Sequence, residues 1–416
     1  MWTEALRRAE ALGRELGGLS AYGVPRVTNA MLLPFEPAQQ KFASALAPRY
    51  IRRLPSIPPT PADGSRRAVP HAAIAVERSA SEFADVALSA ASTALTFGGP
   101  LSAGSVDDLV CAIVEAHSAA LVAALPPLIT PPRSDALLQA TFEGTMEECR
   151  DALSLLRAVQ GLRERVDSFG PAVYELKRKA ADASEAAPVQ TAARHKAATI
   201  ILQTSDSAGG YLRASASASS LLYTSQRLAL ECLIAPVSAS LRRIASPELF
   251  KVWRGKDEEE ELASGMLAFS ASPQGYITTV GDHLLGLPQR LEPFAAGTTL
   301  TLLDKELKGS GSLSDDEEGL HTWLAALGHR VVELLLQSVA LIPTLSILGA
   351  KQLAADASYV DNILSGGLGL PHDARLVELV DLLTTAKADL SAAVAAAHAL
   401  PRELPAALAE KRGVAI

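Results

Sequence analysis

SPQGYITTVGDHLLGLPQRLEPF, residues 272–294, combines a helix start, an apolar face and a helix stop in one short stretch. Ser272 can accept a hydrogen bond from a first-turn N–H, and Pro273 suits the first helical position, where its missing donor costs nothing. Four apolar residues then recur at spacings of three and four: Ile277, Val280, Leu284 and Leu287. Because Pro288 prevents a further turn, the stretch predicts a helix with one apolar face, followed by LPQRLEPF as a lead-out, and it contains no catalytic motif. We call residues 272–294 the organising stretch and its helix the organising helix.

The composition of the whole chain favours packed helices over sheet. Of 416 residues, 48% are apolar, mostly Ala and Leu, whereas 5% are aromatic and 20% are charged. A chain of this length can bury a sizeable core and can hold two or three domains. We therefore predict an all-α fold.

Helical patterns separated by Pro and Gly recur along the chain. Before the organising stretch they predict helices at 2–16, 37–54, 105–125, 134–170 (one helix or a pair closed by Gly170-Pro171), 172–187, 193–204 and 226–241, the last kinked at Pro236. Pro55 to Gly64 is interpreted as a loop, with a proline-rich ligand for a partner as the alternative. An acidic run at 257–261 indicates an exposed corner.

Three apolar stripes follow the organising stretch. They are Trp323, Leu327, Val331, Leu334, Ser338 and Leu341, then Leu353, Ala357, Val360 and Leu364, and then Leu376, Leu379, Val380 and Leu383. Gly366 and Gly367 are predicted to supply the left-handed cap of the second helix, and two short Ala-rich helices end the chain. The pattern predicts antiparallel helices of ordinary length joined by short connections.

Residues 205–225 are rich in Ser, Ala and Gly, which fits a mobile connection and a frayed helix start equally well. We predict an N-terminal helical bundle region at 1–204, a connection at 205–225 and a C-terminal helical bundle at 226–416. The polar, acidic segment 308–319 is predicted to be a disordered loop within the last region.

The charge distribution argues against nucleic-acid binding. The net charge is −8 and the pI is near 5.6, whereas nucleic-acid binders carry a clustered basic surface. Small basic clusters occur at Arg49, Arg52, Arg53, Arg66 and Arg67, and at Lys177, Arg178 and Lys179. Each is more typical of a solvated helix face than of a lipid or partner patch.

Cysteines and apolar runs indicate a cytosolic protein. Cys111, Cys149 and Cys232 are odd in number and far apart, which favours buried inert thiols in a reducing compartment. The N-terminal residues lack the apolar core of a secretory signal. The most apolar run, 331–350, contains Glu333 and Pro343, so it predicts two helices and not a membrane span.

Three motifs that could carry chemistry have simpler interpretations. Residues 366–369, GGLG, follow a helix and not a strand, so helix capping is favoured over a phosphate loop. The carboxylates of Asp315 to Glu318 could hold Mg²⁺, but they lie in a flexible charged run. His329 and Glu333, with His321 nearby, form at most half of a zinc site. We predict no catalytic, cofactor or metal site and no enzymatic activity.

Two blocks of sequence carry a family resemblance. The first block contains Phe269, Ser270, Tyr276, Ile277, Gly281, Leu287, Pro288, Leu291, Glu292, Pro293 and Phe294. The second, at 349–370, contains Lys351, Gln352, Leu353, Asp356, Tyr359, Leu364 and Leu370. Together the two blocks resemble subunit seven of the conserved oligomeric Golgi complex, a family of vesicle-tethering proteins. The resemblance is strongest from about Arg227 onward and corresponds to the C-terminal part of a family member, without an evident counterpart of the N-terminal assembly region.

The resemblance implies an elongated rod of stacked antiparallel helical bundles that acts as a non-enzymatic scaffold. It implies partners among the other subunits of the complex, most directly subunit five and also subunits six and eight, with SNAREs, Rab GTPases and coiled-coil tethers as further contacts. It also implies intra-Golgi retrograde transport and a peripheral location on the cytosolic face of the Golgi membrane, which the protein contacts indirectly. The alternatives are another helical-rod tether, an α-solenoid adaptor, or an all-α metal-dependent enzyme.

Overall fold

The computed structural model describes residues 45–55, 68–98, 103–124, 145–185, 209–254, 272–295 and 318–414, and these ranges form helices joined by short connections, without a strand. Residues 45–51 are helical. Twelve α-helices follow: α1 Ala68–Gly98, α2 Ala103–Ala124, α3 Met146–Glu185, α4 Gly209–Leu241, α5 Pro247–Arg254, α6 Gly275–Leu285, α7 Leu287–Ala295, α8 Glu318–Ala340, α9 Ile347–Asn362, α10 Ala374–Thr384, α11 Leu390–Ala396 and α12 Leu404–Lys411. The prediction of an all-α fold is confirmed.

The chain forms two compact units, and helices α1, α3 and α4 contribute residues to both. Unit 1 contains α1 from His71 onward, α2, residues 158–185 of α3 and the first part of α4. Unit 2 contains residues 68–70 of α1, residues 146–157 of α3, α4 from Tyr223 onward and all later helices. The predicted division at 204 and 225 stays a prediction. Residues 209–225 are helical, so the helix alternative describes that part of the Ser-rich stretch.

Unit 1 is built on apolar faces of its long helices. Phe83 of α1 is fully buried, stacks on His117 of α2 with ring centroids 4.6 Å apart, and meets Phe169 of α3 at 5.4 Å. Lys177 of α3 donates to both carboxylate oxygens of Asp107 of α2, at 2.8 and 2.7 Å. An aromatic cluster and a buried ion pair therefore connect α1, α2 and α3.

Unit 2 is organised around helix α9, which packs against α5, α6 and α10. The predicted stripe of this helix is confirmed, because Leu353, Ala357, Val360 and Leu364 are all buried. The stripe of α8 is also buried except for its last member, Leu341, which is 51% exposed just beyond the helix end. Helix α8 ends at Ala340 and α9 begins at Ile347, so the predicted break of the apolar run near Pro343 is confirmed.

No helix in the described ranges combines the length and hydropathy needed to cross a membrane. Several predicted features lie outside these ranges: the helices at 2–16 and 193–204, most of the loop at 55–64, the acidic corner at 257–261, and the acidic loop apart from its last two residues, which belong to α8.

Proline positions misled the prediction of two helix ends. Helix α3 continues through Gly170-Pro171, although these residues were expected to close it. Gly170 has no Cβ to clash with the ring of the adjacent proline. Apart from the adjacent residues and the helix's own backbone, nothing lies within 4 Å of the position where a Cβ would be. Burial of Phe169 and Val173 on either side stabilises the continuous helix.

The exit from the organising helix is also helical. Helix α6 ends at Leu285, Gly286 forms the turn, and the expected lead-out forms helix α7. Pro288 lies in the first turn of α7, where a backbone donor would have no partner within the helix. The predicted apolar face is confirmed, because Ile277, Val280 and Leu284 are fully buried.

The predicted glycine cap at Gly366 and Gly367 is wrong in its position. Residues Ile363–Gly367 form a π-helical turn that extends α9, and the residue with positive φ is Gly369, at 70°. Leu370 N–H then donates to Leu364 O at 3.0 Å and closes the turn. GGLG therefore acts in helix termination, as the capping interpretation held, but through its last glycine.

Candidate functional site: a buried polar junction

The two blocks of the sequence resemblance meet at the carboxylate of Asp356. This side chain lies on α9 and is fully buried. Its Oδ1 accepts from Gln274 N at 2.9 Å and from Gln352 Nε2 at 3.1 Å, and its Oδ2 accepts from Tyr276 Oη at 2.7 Å. Gln352 Nε2 also donates to Ser272 O at 2.9 Å. We call these five residues the Asp356 junction.

The Asp356 junction corrects the predicted start of the organising helix. The N-cap of α6 is Gln274, two residues after the predicted Ser272, and its own side chain makes no capping bond. Asp356 supplies the cap from another helix by accepting the N–H of Gln274. A carboxylate at a helix N-terminus also interacts favourably with the helix dipole, so the cap joins α9 to α6.

Burial controls the protonation of the Asp356 junction. Burial raises the pKa of the Asp356 carboxyl, while the hydrogen bonds from Gln274, Tyr276 and Gln352 act in the opposite direction. Burial, followed by the Asp356 charge, holds the pKa of Tyr276 well above its ordinary value. The phenol therefore stays a donor, which matches its short bond to the carboxylate.

Trp253 supports the junction from α5. Its ring meets the Tyr276 ring edge-on, with centroids 6.5 Å apart, and its Nε1 donates to Ile244 O at 2.9 Å. Its own carbonyl accepts from Ser346 N at 2.8 Å at the start of α9. A Cβ on Gly349 would lie 2.3 Å from this carbonyl oxygen, so only glycine allows α9 to approach α5 this closely.

A glycine also sets the crossing of α6 and α9. A Cβ on Gly281 would lie 2.5 Å from the Tyr359 hydroxyl and 2.7 Å from its ring. Both residues belong to the blocks that carry the resemblance, and the structure brings them into contact. The polar and glycine residues of these blocks thus hold helices together.

Pro236 creates a second polar connection within unit 2. It lies inside α4 and has no N–H to donate to Cys232 O, so that carbonyl lacks its usual helical partner. Cys149 of α3 donates its thiol to Cys232 O at 3.5 Å. The neighbouring carbonyl, Leu233 O, accepts from His283 Nε2 of α6 at 2.7 Å. Helices α3 and α6 therefore both bind α4 at its proline.

His283 is held in one neutral form by these contacts. Its Nε2 carries the proton donated to Leu233 O, and its Nδ1 accepts from Arg290 Nη1 at 3.1 Å. Burial is the main cause that lowers the pKa of His283. The imidazole therefore acts as a bridge from α6 to α4 and to α7.

The cysteine prediction is confirmed as far as burial is concerned. Cys111, Cys149 and Cys232 are all buried. Burial raises the pKa of Cys149 to about 11, and it raises the pKa of Cys232 further. Neither thiol forms the thiolate that reactive cysteines require near neutral pH.

His329 and Glu333 of the possible zinc half-site have other partners. His329 Nδ1 lies 3.1 Å from Arg375 Nη2, and Glu333 pairs with Arg330. Burial, followed by the Arg375 charge, lowers the pKa of His329. Within the described ranges, no group of three His, Cys, Asp or Glu side chains is placed to hold a metal ion. The carboxylates of Asp315, Asp316 and Glu317 lie outside those ranges.

The basic clusters differ from the prediction at one residue. Arg178 and Lys179 are exposed, as a solvated face requires, but Lys177 is buried in its pair with Asp107. Arg49, Arg52 and Arg53 are exposed, and Arg66 and Arg67 lie outside the described ranges. Lys177 was misassigned because its partner lies 70 positions away in the sequence.

Comparison with known proteins identifies a family whose matched region contains the Asp356 junction. The family model for Golgi complex component 7 (COG7) matches residues 173–413. Conserved oligomeric Golgi complex subunit 7 of Homo sapiens is 30% identical over 170 residues, which cover 39% of this chain and 22% of the relative. The Arabidopsis thaliana protein of that name is 29% identical over 154 residues, covering 37% and 17%.

A third relative, from Drosophila melanogaster, is 27% identical over 187 residues, covering 44% of this chain and 24% of the relative. The aligned part thus spans roughly a fifth of the length of these curated relatives. The family model itself extends over more than half of the chain and contains both blocks that meet at Asp356. The chain therefore belongs to the Golgi complex component 7 family.

Proposed function

We propose that this chain is a non-enzymatic scaffold subunit of the Golgi vesicle-tethering complex. The observation that carries the proposal is the family match over residues 173–413, which spans the whole of the Asp356 junction. The polar side chains of unit 2 support it, because Asp356, Tyr276 and His283 are occupied by contacts between helices. Such contacts hold a surface in a fixed shape, as a scaffold requires.

The proposed partners are the other subunits of the complex, with subunit five as the most direct and subunits six and eight as further contacts. We also propose SNAREs, Rab GTPases and coiled-coil tethers as partners, which connect the protein to the vesicle. The role is then intra-Golgi retrograde transport, protein transport and Golgi organisation, carried out at the cytosolic face of the Golgi membrane. Human, Arabidopsis and Drosophila relatives named as subunits of this complex support the proposal.

Affinity purification tests this function directly. Tagged residues 1–416 are expressed in the native cytosol, and co-purifying proteins are identified by mass spectrometry. We expect the other subunits of the Golgi complex, with subunit five enriched most. A Gly349→Ala variant should recover less of them because it disrupts the packing of α9 on α5, whereas Gly161→Ala should behave as the parent. A protease-resistant, folded chain that recovers none of these subunits would contradict the proposal.

An elongated rod is part of the same proposal, and small-angle X-ray scattering tests it separately. A compact globule of this length has a radius of gyration of about 22 Å. A rod of stacked bundles gives a clearly larger value and a maximum dimension several times its width. A radius of gyration near the compact value would remove the rod from the proposal.

A further inference from the structure

Three basic helix ends converge on the loop 341–346 of unit 2. Leu345 N–H donates to Lys411 O at 3.0 Å, which holds the end of α12 against this loop. Ser346 N–H donates to Trp253 O at 2.8 Å, next to Arg254 at the end of α5. Trp253 Nε1 donates to Ile244 O, which holds the 3₁₀ turn Arg242–Ala245 in the same region.

Each of these ends carries basic residues in its last turn. Arg242 and Arg243 belong to the 3₁₀ turn, Lys251 and Arg254 to α5, and Lys411 to α12. Arg243, Lys251 and Arg254 are exposed, and so is Lys351 in the second turn of α9. Two exposed carboxylates, Glu248 and Glu410, belong to the same elements. The exposed charge of these helix ends is therefore net positive.

An exposed apolar residue lies at the start of the same loop. Leu341 is 51% exposed, while Ile342 and Leu345 are buried and fix the loop to the unit. Lys411 Nζ donates to Ala340 O, directly before Leu341. An exposed apolar side chain at the start of a loop on which basic helix ends converge is the combination with which peripheral proteins contact an anionic bilayer.

We infer that Arg243, Lys251, Arg254 and Lys351, together with Leu341, form a surface that contacts an anionic lipid bilayer directly. The charge of this surface is complementary to the phosphate groups of an anionic leaflet, and Leu341 can enter the apolar boundary below them. We call this set the basic loop surface. It goes beyond the proposed function, in which the protein reaches the Golgi membrane through its partners.

Vesicle co-sedimentation with purified residues 1–416 tests the inference without any other subunit. Vesicles of neutral phosphatidylcholine are compared with vesicles in which part of this lipid is replaced by phosphatidylserine. Binding is expected only to the anionic vesicles and should weaken as salt is raised. A triple variant, Arg243→Gln, Lys251→Gln and Arg254→Gln, should bind roughly 100-fold more weakly, because each adjacent basic residue contributes about fivefold.

The matched control removes three exposed basic residues elsewhere, through Arg52→Gln, Arg178→Gln and Lys179→Gln, and should bind as the parent does. Leu341→Asn should weaken binding by up to about tenfold, since it removes one apolar side chain from the bilayer boundary. Replacing the acidic run 257–261 by amides should leave binding unchanged or stronger, because that run carries the opposite charge.

Equal loss in the triple variant and its control would show non-specific charge attraction and would overturn the inference. Equal binding to neutral and anionic vesicles would overturn it as well. Binding of the surface to an acidic or phosphorylated protein segment, with no binding to vesicles, would assign it to a protein partner and refute the lipid. Recovery of the Golgi complex subunits by the triple variant would show that the proposed function stands regardless of this result.

Discussion

Replacement of Asp356 should destabilise unit 2 more than removal of any exposed carboxylate. The Asp356 carboxylate accepts three hydrogen bonds of 2.7–3.1 Å in a fully buried position. Asp356→Ala leaves Gln274 N–H and Tyr276 Oη without an acceptor, and each buried unpaired group costs about 1–3 kcal/mol. Removal of a buried charge offsets part of that loss. We expect a net decrease of about 3 kcal/mol in the free energy of unfolding.

Asp356→Asn should cost less than Asp356→Ala. The amide oxygen can still accept from Gln274 and Gln352, and the amide NH₂ can donate to Tyr276 Oη, because a hydroxyl can act as an acceptor. The expected decrease is about 1–2 kcal/mol, owing to weaker bonds without charge. Asp381→Ala, an exposed carboxylate on α10, is the control and should change stability by less than about 0.5 kcal/mol.

The pH dependence distinguishes the charged carboxylate from simple packing. The folded-state pKa of Asp356 lies above its unfolded value because of burial. The folded state therefore binds the proton more tightly, so this group stabilises the protein below the unfolded pKa and loses that contribution as the pH rises through the folded pKa. The stability of the parent relative to Asp356→Asn should fall across that window.

Urea unfolding followed by circular dichroism measures both effects, with each variant compared at several pH values. The two units can unfold in separate transitions, so the transition of unit 2 is identified by Trp253 and Trp323 fluorescence. Equal stability of Asp356→Ala and Asp381→Ala would refute the assignment of Asp356 as the cap of α6. A pH-independent difference between the parent and Asp356→Asn would refute the raised pKa of Asp356 in the folded state.

The remaining predictions concern close packing, the buried ion pair and a buried histidine. Gly349→Ala should lower stability by about 1–3 kcal/mol because its Cβ meets a backbone carbonyl, whereas Gly161→Ala, where nothing lies within 4 Å, should raise it by about 0.5–1 kcal/mol; denaturant titration compares them. Lys177→Met should cost about 3–5 kcal/mol in the same assay, and addition of Asp107→Leu should recover much of that loss, since a buried charge without its partner is the costly state. Burial lowers the pKa of His117 to about 4, so stability should fall by at most about 3 kcal/mol as the pH drops from 6.5 toward 4, and His117→Phe should remove this dependence in a thermal scan.

Apolar periodicity was sufficient to predict most of the helices and their buried faces. The stripes of α6 and α9 follow spacings of three and four, and these spacings depend only on local helix geometry. Leu341 departs from its stripe because α8 ends one residue before it. The position of a helix end decides which side of the protein the next residue faces, and the periodicity alone did not give that end.

Contacts over long sequence separations were not predictable from local patterns. Ser272 was a chemically reasonable cap for α6, but the actual cap comes from Asp356, whose bond to Gln274 spans 82 positions. Lys177 was assigned to a solvated face although Asp107 buries its charge. For Ser272 the local rule gave the type of interaction correctly and the partner wrongly, and for Lys177 it missed the ion pair itself, because both depend on how the helices pack.

Predictions from prolines also depended on partners that are distant in the sequence. A proline inside a helix was expected to end or bend it, and the cost of the missing hydrogen bond justifies that expectation. In α4 the cost is offset from outside the helix, because the thiol of Cys149 donates to the carbonyl that Pro236 leaves open, and His283 donates to the next one. Pro236 therefore leaves one open acceptor on α4 that α3 binds, and α6 binds the carbonyl beside it. Such contacts fix the relative positions of helices, which is what the proposed scaffold requires. The blocks that carry the family resemblance contain further residues that join helices, through hydrogen bonds at Asp356, Gln352 and Tyr276 and through close packing at Gly281.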